Sequence, residues 1–261
     1  MRKLIILCSI CCVLSVGYFM IKSPLATPIK ETGKHPESGG NRDSTVVSII
    51  GDSWAERSNS NHLDQKIDSI LRKNGINSTT KSKGTGGAKS KEIYQRLFDA
   101  ESEAGLKNMI TCRPEYVVLF CGVNDSHGQY GEHFYAYHTV LILKYLIENG
   151  IHPVYLELPD YRITRKYAQY SELRVLFYHL RAIVNSHSLE VDNIARYRAS
   201  LLKEIDKENI RHDVIYIPYA NLKKESDTTR LYSDDMHLSE YGYSRLAEVI
   251  ADAIVNFERT R

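Results

Sequence analysis

The fold is decided by the stretch Thr45-Val46-Val47-Ser48-Ile49-Ile50-Gly51-Asp52-Ser53-Trp54. Its first six residues form a nearly continuous apolar run rich in β-branched side chains, which is typical of a short strand buried on both faces. A polar loop follows, and then an apolar helical pattern runs to Asn74-Gly75, a sequence that favours a helix end. The order strand, loop, helix indicates the first unit of an α/β domain.

Four more strands are predicted along the chain, at residues 76–80, 116–121, 152–158 and 214–217. Helical patterns lie between the strands, one at 91–103 and one marked by Phe134, Tyr137, Leu141 and Tyr145. A final helix follows the last strand and begins after Ser239, its predicted N-cap. Alternating strands and helices predict a mostly parallel five-stranded sheet covered by helices on both faces. In such a sheet, functional sites lie outside the carboxyl ends of the strands.

The N-terminus predicts a membrane segment. Residues 4–21 are apolar and uncharged, and Arg2 and Lys3 precede them. We expect an uncleaved signal-anchor at 1–22, a flexible linker at 23–44 and one domain at 45–261, exported from the cytoplasm. A cleaved signal peptide, which would give a secreted protein, is the main alternative, and a lipoprotein or a buried helix is less favoured.

Charge and cysteine content argue against nucleic-acid binding and against catalysis by a cysteine. Apart from Arg2, Lys3 and Lys22, the chain has 31 basic and 32 acidic residues, so no electrostatic argument favours nucleic acid as a partner. In the domain, only Cys112 and Cys121 occur, at opposite ends of one predicted strand. That separation is too long for a disulfide, so both are predicted to be unpaired and mostly buried thiols. Cys121 as a nucleophile is strongly disfavoured.

Two loops carry the residues of nucleophilic catalysis. Ser53 follows the first strand directly, and Asp234-Asp235-Met236-His237 precedes the last helix. An imidazole activates a serine hydroxyl by accepting its proton, and a carboxylate on the other ring nitrogen orients the imidazole. The simpler alternatives are an ordinary turn at Ser53 and a polar helix-entry loop at His237.

Two further loops offer hydrogen-bond donors at the same sheet edge. Gly84-Thr85-Gly86-Gly87-Ala88 follows the second strand, and Gly122-Val123-Asn124-Asp125 follows the third. Glycine lets a backbone N–H approach a reacting group closely, and Asn124 supplies a side-chain amide. A phosphate cradle at the first loop is disfavoured, because no Lys-Ser/Thr follows at the required spacing. An ordinary turn remains the alternative for each loop.

Taken together, these motifs resemble the SGNH/GDSL hydrolase superfamily over about residues 46–257. The resemblance implies that Ser53 is the nucleophile, that Asp234 and His237 are its acid and base, and that Ser53, Gly87 and Asn124 form the oxyanion hole. It also implies a three-layer α/β/α sandwich with a flavodoxin-like sheet and no metal or organic cofactor. Departures from the family pattern are, in this sequence, Lys89, Asp235 and Leu238, with Gly86 a neighbour that competes with Gly87.

The expected function is therefore an extracytoplasmic serine esterase that removes O-acyl groups, with acetyl on a cell-surface glycan as the favoured substrate. An O-acyltransferase using the same serine, and an inactive glycan-binding module, are the alternatives. The segment 160–212 is rich in Tyr and Arg. It is interpreted as one or two surface helices or, alternatively, as a lid or sugar-binding wall.

Overall fold

A computed structural model describes Lys22, residues 44–223 and residues 228–261. The predicted N-terminal segment (1–22) and linker (23–44) therefore lie, apart from Lys22 and Ser44, outside the described residues. Within the described ranges, no helix is both long enough and apolar enough to cross a bilayer. The membrane segment at residues 4–21 stays a prediction.

Five parallel strands form one sheet in the order β2-β1-β3-β4-β5. The strands are β1 Thr45–Gly51, β2 Ser78–Gly84, β3 Tyr116–Phe120, β4 His152–Leu156 and β5 Ile215–Ile217. This confirms the predicted sheet and its flavodoxin-like order. The central strand β3 is buried along its whole length, whereas the edge strand β2 alternates buried and exposed residues at its start.

The helices connect the strands in the order that the alternation predicts. They are α1 Ser53–Glu56, α2 Leu63–Lys73, α3 Ser90–Arg96, α4 Lys107–Thr111, α5 Val123–His127, α6 Glu132–Glu148, α7 Ile163–Tyr167, α8 Glu172–Ser186, α9 Ile194–Lys207, α10 Thr228–Leu231 and α11 Glu240–Thr260. Helix α11 packs against α2 on one face of the sheet, while α6 packs against α3 and α9 on the other. This is the three-layer α/β/α sandwich that was expected.

The register of the sheet brings the strand ends to one level. Gly51 at the end of β1 pairs with Gly84 in β2 and with Phe120 in β3. Gly51 has φ +148°, and a Cβ at this position would lie 2.0 Å from the carbonyl oxygen of Phe120, so only glycine fits. The loops after these three strands therefore start side by side.

Some sequence predictions need correction. Helix α3 ends at Arg96 rather than near residue 103, because the Asp99 side chain accepts hydrogen bonds from the backbone N–H groups of Glu101 and Ser102. Such local bonds compete with helix continuation. The segment 160–212 contains three helices, α7, α8 and α9, not one or two.

The two domain cysteines are free, as predicted, but only Cys121 is buried. Cys112 is exposed because it caps the end of the short surface helix α4. Burial raises the pKa of the Cys121 thiol well above its ordinary value, which disfavours the reactive thiolate. This agrees with the sequence argument against Cys121 as a nucleophile.

Candidate active site

Ser53 and His237 lie within hydrogen-bond reach of each other. Ser53 begins α1 directly after the β1 strand end, and its Oγ lies 3.1 Å from Nε2 of His237. Both side chains are largely shielded, with Ser53 8% exposed as a residue and the His237 side chain 19% exposed. The fold therefore brings together the predicted nucleophile and base, which stand 184 positions apart in the chain.

Asp234 orients the imidazole from its other side. Oδ2 of Asp234 lies 2.8 Å from Nδ1 of His237, and Oδ1 accepts the backbone N–H groups of Met236 at 2.7 Å and His237 at 2.8 Å. Burial alone would raise the pKa of Asp234, but these hydrogen bonds hold it below its ordinary value. An ionised carboxylate only accepts hydrogen bonds, so it places the hydrogen on Nδ1 and leaves Nε2 free to receive the Ser53 proton.

The two predicted oxyanion loops are joined by a side-chain hydrogen bond. Asn124 Nδ2 donates to the carbonyl oxygen of Ala88 at 3.0 Å, next to Gly87. Gly87 has φ +77°, a left-handed conformation that favours glycine, and the space where a Cβ would project is open. The two loops thus lie side by side at the carboxyl edge of the sheet, as the motif order predicts.

A second bond pair between the same loops was not anticipated from the sequence. Asp125 accepts the backbone N–H of Ser90 at 2.9 Å and its hydroxyl at 2.6 Å. Burial raises the pKa of Asp125 to about 6, although the hydrogen bonds from Ser90 oppose the shift. The sequence motif contains Asp125 next to Asn124, but only the folded structure shows that Ser90 is its partner.

The residue before Ser53 is a buried acid. Asp52 caps α1 by accepting the Trp54 backbone N–H at 2.9 Å, while its other carboxyl oxygen is buried without a hydrogen-bond partner. Burial raises the pKa of Asp52 to about 7 against the opposing Trp54 bond, and the nearby charge of Asp125 acts in the same direction as burial. Near neutral pH, this position therefore holds a carboxyl that is substantially protonated.

Asp235 links the histidine loop to α7. Its side chain accepts a hydrogen bond from Gln169 Nε2 at 2.6 Å and lies 3.2 Å from Arg165 Nε, and its carbonyl accepts the Arg162 N–H at 2.9 Å. Asp235 is 7% exposed. This departure from the expected motif is thus explained by a contact that the Tyr- and Arg-rich segment supplies.

No group of three or more His, Cys, Asp or Glu residues in the described ranges has the arrangement of a metal site. The site contains instead a hydroxyl, an imidazole, a carboxylate and amide donors. That set is suited to acyl transfer through an oxyanion. The absence of any cofactor stays a prediction from the resemblance.

Comparison with known proteins gives a clear result at the level of structure only. No family model and no curated protein matches the chain by sequence. Among solved structures, a lipase/acylhydrolase from Enterococcus faecalis superposes with a TM-score of 0.59 at 15% identity, covering 82% of this chain and 96% of that one. An acetyl xylan esterase superposes with a TM-score of 0.57 at 19% identity, covering 80% and 99%. A putative acylhydrolase from Bacteroides fragilis gives 0.55 at 15% identity, covering 86% and 92%.

Two further structural neighbours are described as a GDSL-like lipase and as a putative lipolytic protein of the G-D-S-L family. Their superpositions cover 82% and 80% of this chain. The fold that the resemblance implies is thereby confirmed, because the chain has the same fold as these GDSL-type lipases and acylhydrolases.

Proposed function

We propose that the protein is a serine ester hydrolase with Ser53 as nucleophile. The observation that carries this proposal is the continuous hydrogen-bonded series from Ser53 Oγ through both ring nitrogens of His237 to Asp234, with separations of 3.1 Å and 2.8 Å. Solved structures with this fold include esterases, acylhydrolases and an acetyl xylan esterase, which supports an ester as substrate.

The proposed reaction has two steps. Ser53 Oγ attacks the ester carbonyl carbon as His237 Nε2 takes its proton, and the developing oxyanion is held by the N–H groups of Ser53 and Gly87 and the Asn124 amide. His237 then gives the proton to the leaving alcohol, leaving the acyl group on Ser53. A water molecule, deprotonated by His237, attacks this ester and releases the carboxylic acid with regeneration of Ser53.

The proposed substrate is an O-acyl group, specifically acetyl, on a cell-surface glycan. The apolar residues 4–21 with Arg2 and Lys3 before them support an exported domain, either membrane-anchored or secreted. An exported esterase meets surface polymers, and one structural neighbour is described as an acetyl xylan esterase. The same acyl-enzyme could pass its acyl group to a sugar hydroxyl, so the test must distinguish water from an acceptor.

The first experiment compares the full-length protein in mild detergent with Ser53→Ala on p-nitrophenyl acetate. Loss of the nucleophile is expected to lower kcat roughly 10³-fold or more. Ser60→Ala is the matched control, because this exposed serine bonds only locally to Arg57 and Asn61 and should leave kcat unchanged. Equal activity of wild type and Ser53→Ala, with both folded, would refute the proposal.

The second experiment measures acetate released from an acetylated glycan, with and without a deacetylated glycan acceptor. The hydrolase proposal expects acetate release that does not depend on the acceptor and is absent in Ser53→Ala. Acetyl groups appearing on the acceptor, with little free acetate, would identify a transferase. Glycan binding without serine-dependent turnover would identify a binding module.

A further inference from the structure

Helix α8 presents apolar side chains to solvent. In the part of the chain that the structure describes, the six exposed large apolar residues all lie on or just after this helix, with exposures of 41% to 80%. They are Leu173, Leu176, Phe177, Leu180, Ile183 and Leu189. The first five stand at positions i, i+3, i+4, i+7 and i+10, so they share one face. A helix on the surface of a soluble domain normally turns such a face toward the core.

The opposite face of α8 attaches the helix to the domain through polar and aromatic groups. Arg181 is 8% exposed, and its guanidinium lies 3.7 Å from the centroid of the Tyr130 ring. Asn185 Nδ2 donates to the carbonyl oxygen of Gln129 at 3.1 Å, and the rings of Tyr178 and Tyr167 stack at 4.8 Å. These contacts fix the rotation of the helix, so the apolar face is held outward by the fold.

An apolar groove adjoins the exposed face. Its volume is about 520 Å³, and its lining includes Tyr167, Ala168, Val175, Leu176 and Val191. Leu176 belongs both to the groove and to the exposed face, so the two form one continuous apolar surface. Contiguous apolar surfaces of this kind mark interaction sites rather than ordinary protein surface.

The charge around this surface identifies the partner. Four basic residues near this surface reach solvent, namely Arg162, Arg165, Lys166 and Arg174, whereas Arg181 is buried. The acidic residues are Glu172 at the start of the helix and Glu190 and Asp192 beyond its end. Arg165, with its side chain 67% exposed, and Arg174 are among these basic residues. An apolar helix face with basic residues around it fits an anionic lipid surface. Two copies meeting through this face would bring like charges together, which disfavours self-association.

We propose that α8 is a docking surface for a bilayer that contains anionic lipids. The helix lies in the plane of the interface with its five apolar residues among the acyl chains and its basic neighbours at the headgroups. Arg165 in α7 and Gln169 just after it both contact Asp235, so the segment that leads into α8 touches the loop that carries His237. The proposal requires neither esterase activity nor the predicted membrane segment, so it stands or fails separately from both.

The test places a fluorescent reporter on the helix in the full-length protein. Phe177→Trp introduces an indole at a position 42% exposed, and the natural Trp54 is only 1% exposed. Asp252→Trp, on the exposed side of α11, is the matched control. Each variant is mixed with vesicles of phosphatidylcholine alone or with about one third phosphatidylglycerol, with and without brominated acyl chains. A reporter on the helix measures local insertion even if residues 4–21 also attach the protein.

The proposal expects a blue shift and bromine quenching for Phe177→Trp in anionic vesicles, with neither for Asp252→Trp. In the absence of phosphatidylglycerol, the apparent partition coefficient is expected to be lower by a factor of roughly ten or more. Adding Leu173→Gln, Leu176→Gln and Leu180→Gln should abolish the quenching. Circular dichroism and p-nitrophenyl acetate turnover check that these variants fold. Should the triple variant fail to fold, Lys166→Gln with Arg174→Gln provides a second test by weakening the lipid selectivity.

Three outcomes would overturn the proposal. The first is an unquenched reporter at position 177 in anionic vesicles. The second is equal quenching with and without phosphatidylglycerol, which would remove the role of charge. The third is a blue shift that depends on protein concentration without vesicles, which would assign the surface to a second copy of the chain.

Discussion

Trp54 donates its indole N–H to the carbonyl oxygen of Met236 at 3.0 Å, although 182 positions separate the two residues. Trp54 follows Ser53, the proposed nucleophile, and Met236 precedes His237, the proposed base, so this bond joins the two halves of the candidate catalytic unit. Tyr243 at the start of α11 donates to the Trp54 carbonyl at 3.0 Å and ties the same unit to the last helix. The geometry between Ser53 and His237 therefore depends on a neighbouring residue that no catalytic motif singles out.

Trp54→Phe should lower kcat about tenfold while changing KM little, because a small misplacement of the base is costly to proton transfer. Loss of the hydrogen bond should also lower the free energy of unfolding by about 1 kcal/mol. Steady-state kinetics with p-nitrophenyl acetate and urea denaturation measure the two effects. Ser48→Ala removes a comparable buried bond, from Ser48 Oγ to the Met109 carbonyl, in the middle of β1. It should cost similar stability without changing kcat, and an equal fall in kcat for both variants would contradict a positioning role.

Asn124→Ala should lower kcat about 10²–10³-fold, the usual cost of one oxyanion donor. Asn124→Asp should be at least as damaging, since a carboxylate would repel both the oxyanion and the Ala88 carbonyl that Asn124 now contacts. KM is expected to change little, because the donor acts on charge that develops in the transition state. A kcat within threefold of the wild type for Asn124→Ala, with the fold intact, would remove Asn124 from the proposed oxyanion hole.

Asp235→Ala should lower kcat several-fold, because the histidine loop loses its side-chain contacts with Arg165 and Gln169 and keeps only the backbone bond to Arg162. Arg165→Ala should have a smaller effect, because the Arg165 side chain is 67% exposed and an ion pair made by so exposed a side chain contributes little. Gln169→Ala should fall between them, since it loses the 2.6 Å hydrogen bond alone. The measurement is the ranking of the three variants by kcat. A kcat for Asp235→Ala equal to that of the wild type would show that the Asp235 side chain does not position His237.

Asp52→Asn should make stability less dependent on pH. The pKa of Asp52 is raised to about 7 in the fold, from 3.8 for an unperturbed aspartate. Between those values the folded chain holds a proton that the unfolded chain has released. The group therefore lowers the free energy of unfolding by about 1.4 kcal/mol per pH unit as pH rises. Urea denaturation at pH 5 and pH 8 should show that the free energy of unfolding falls less between the two pH values for Asp52→Asn than for the wild type. An unchanged difference between the two pH values would contradict the raised pKa.

Local sequence patterns were sufficient for the five strands, for the order in which strands and helices alternate, and for the chemical groups. The apolar run at 45–50 predicts β1, and the helix N-cap at Ser239 is confirmed by its bond with the Gly242 N–H at 3.1 Å. The order of Ser53, Gly87, Asn124 and His237 predicts one sheet edge, because the carboxyl ends of parallel strands meet there. These predictions succeed because each depends on neighbouring residues or on the handedness rule for parallel crossovers.

Only the tertiary structure decided which distant groups meet. Nothing local to Asp235 indicates that Gln169 binds it, and the apolar period of α8 defines a stripe without stating whether that stripe faces the core or the solvent. The Arg181 and Asn185 contacts settle that rotation, and they depend on loops near residue 130. Sequence periodicity thus determined the alternation of strands and helices and the chemistry that each loop carries, whereas the register of the sheet and long-range hydrogen bonding decided which partner each side chain has.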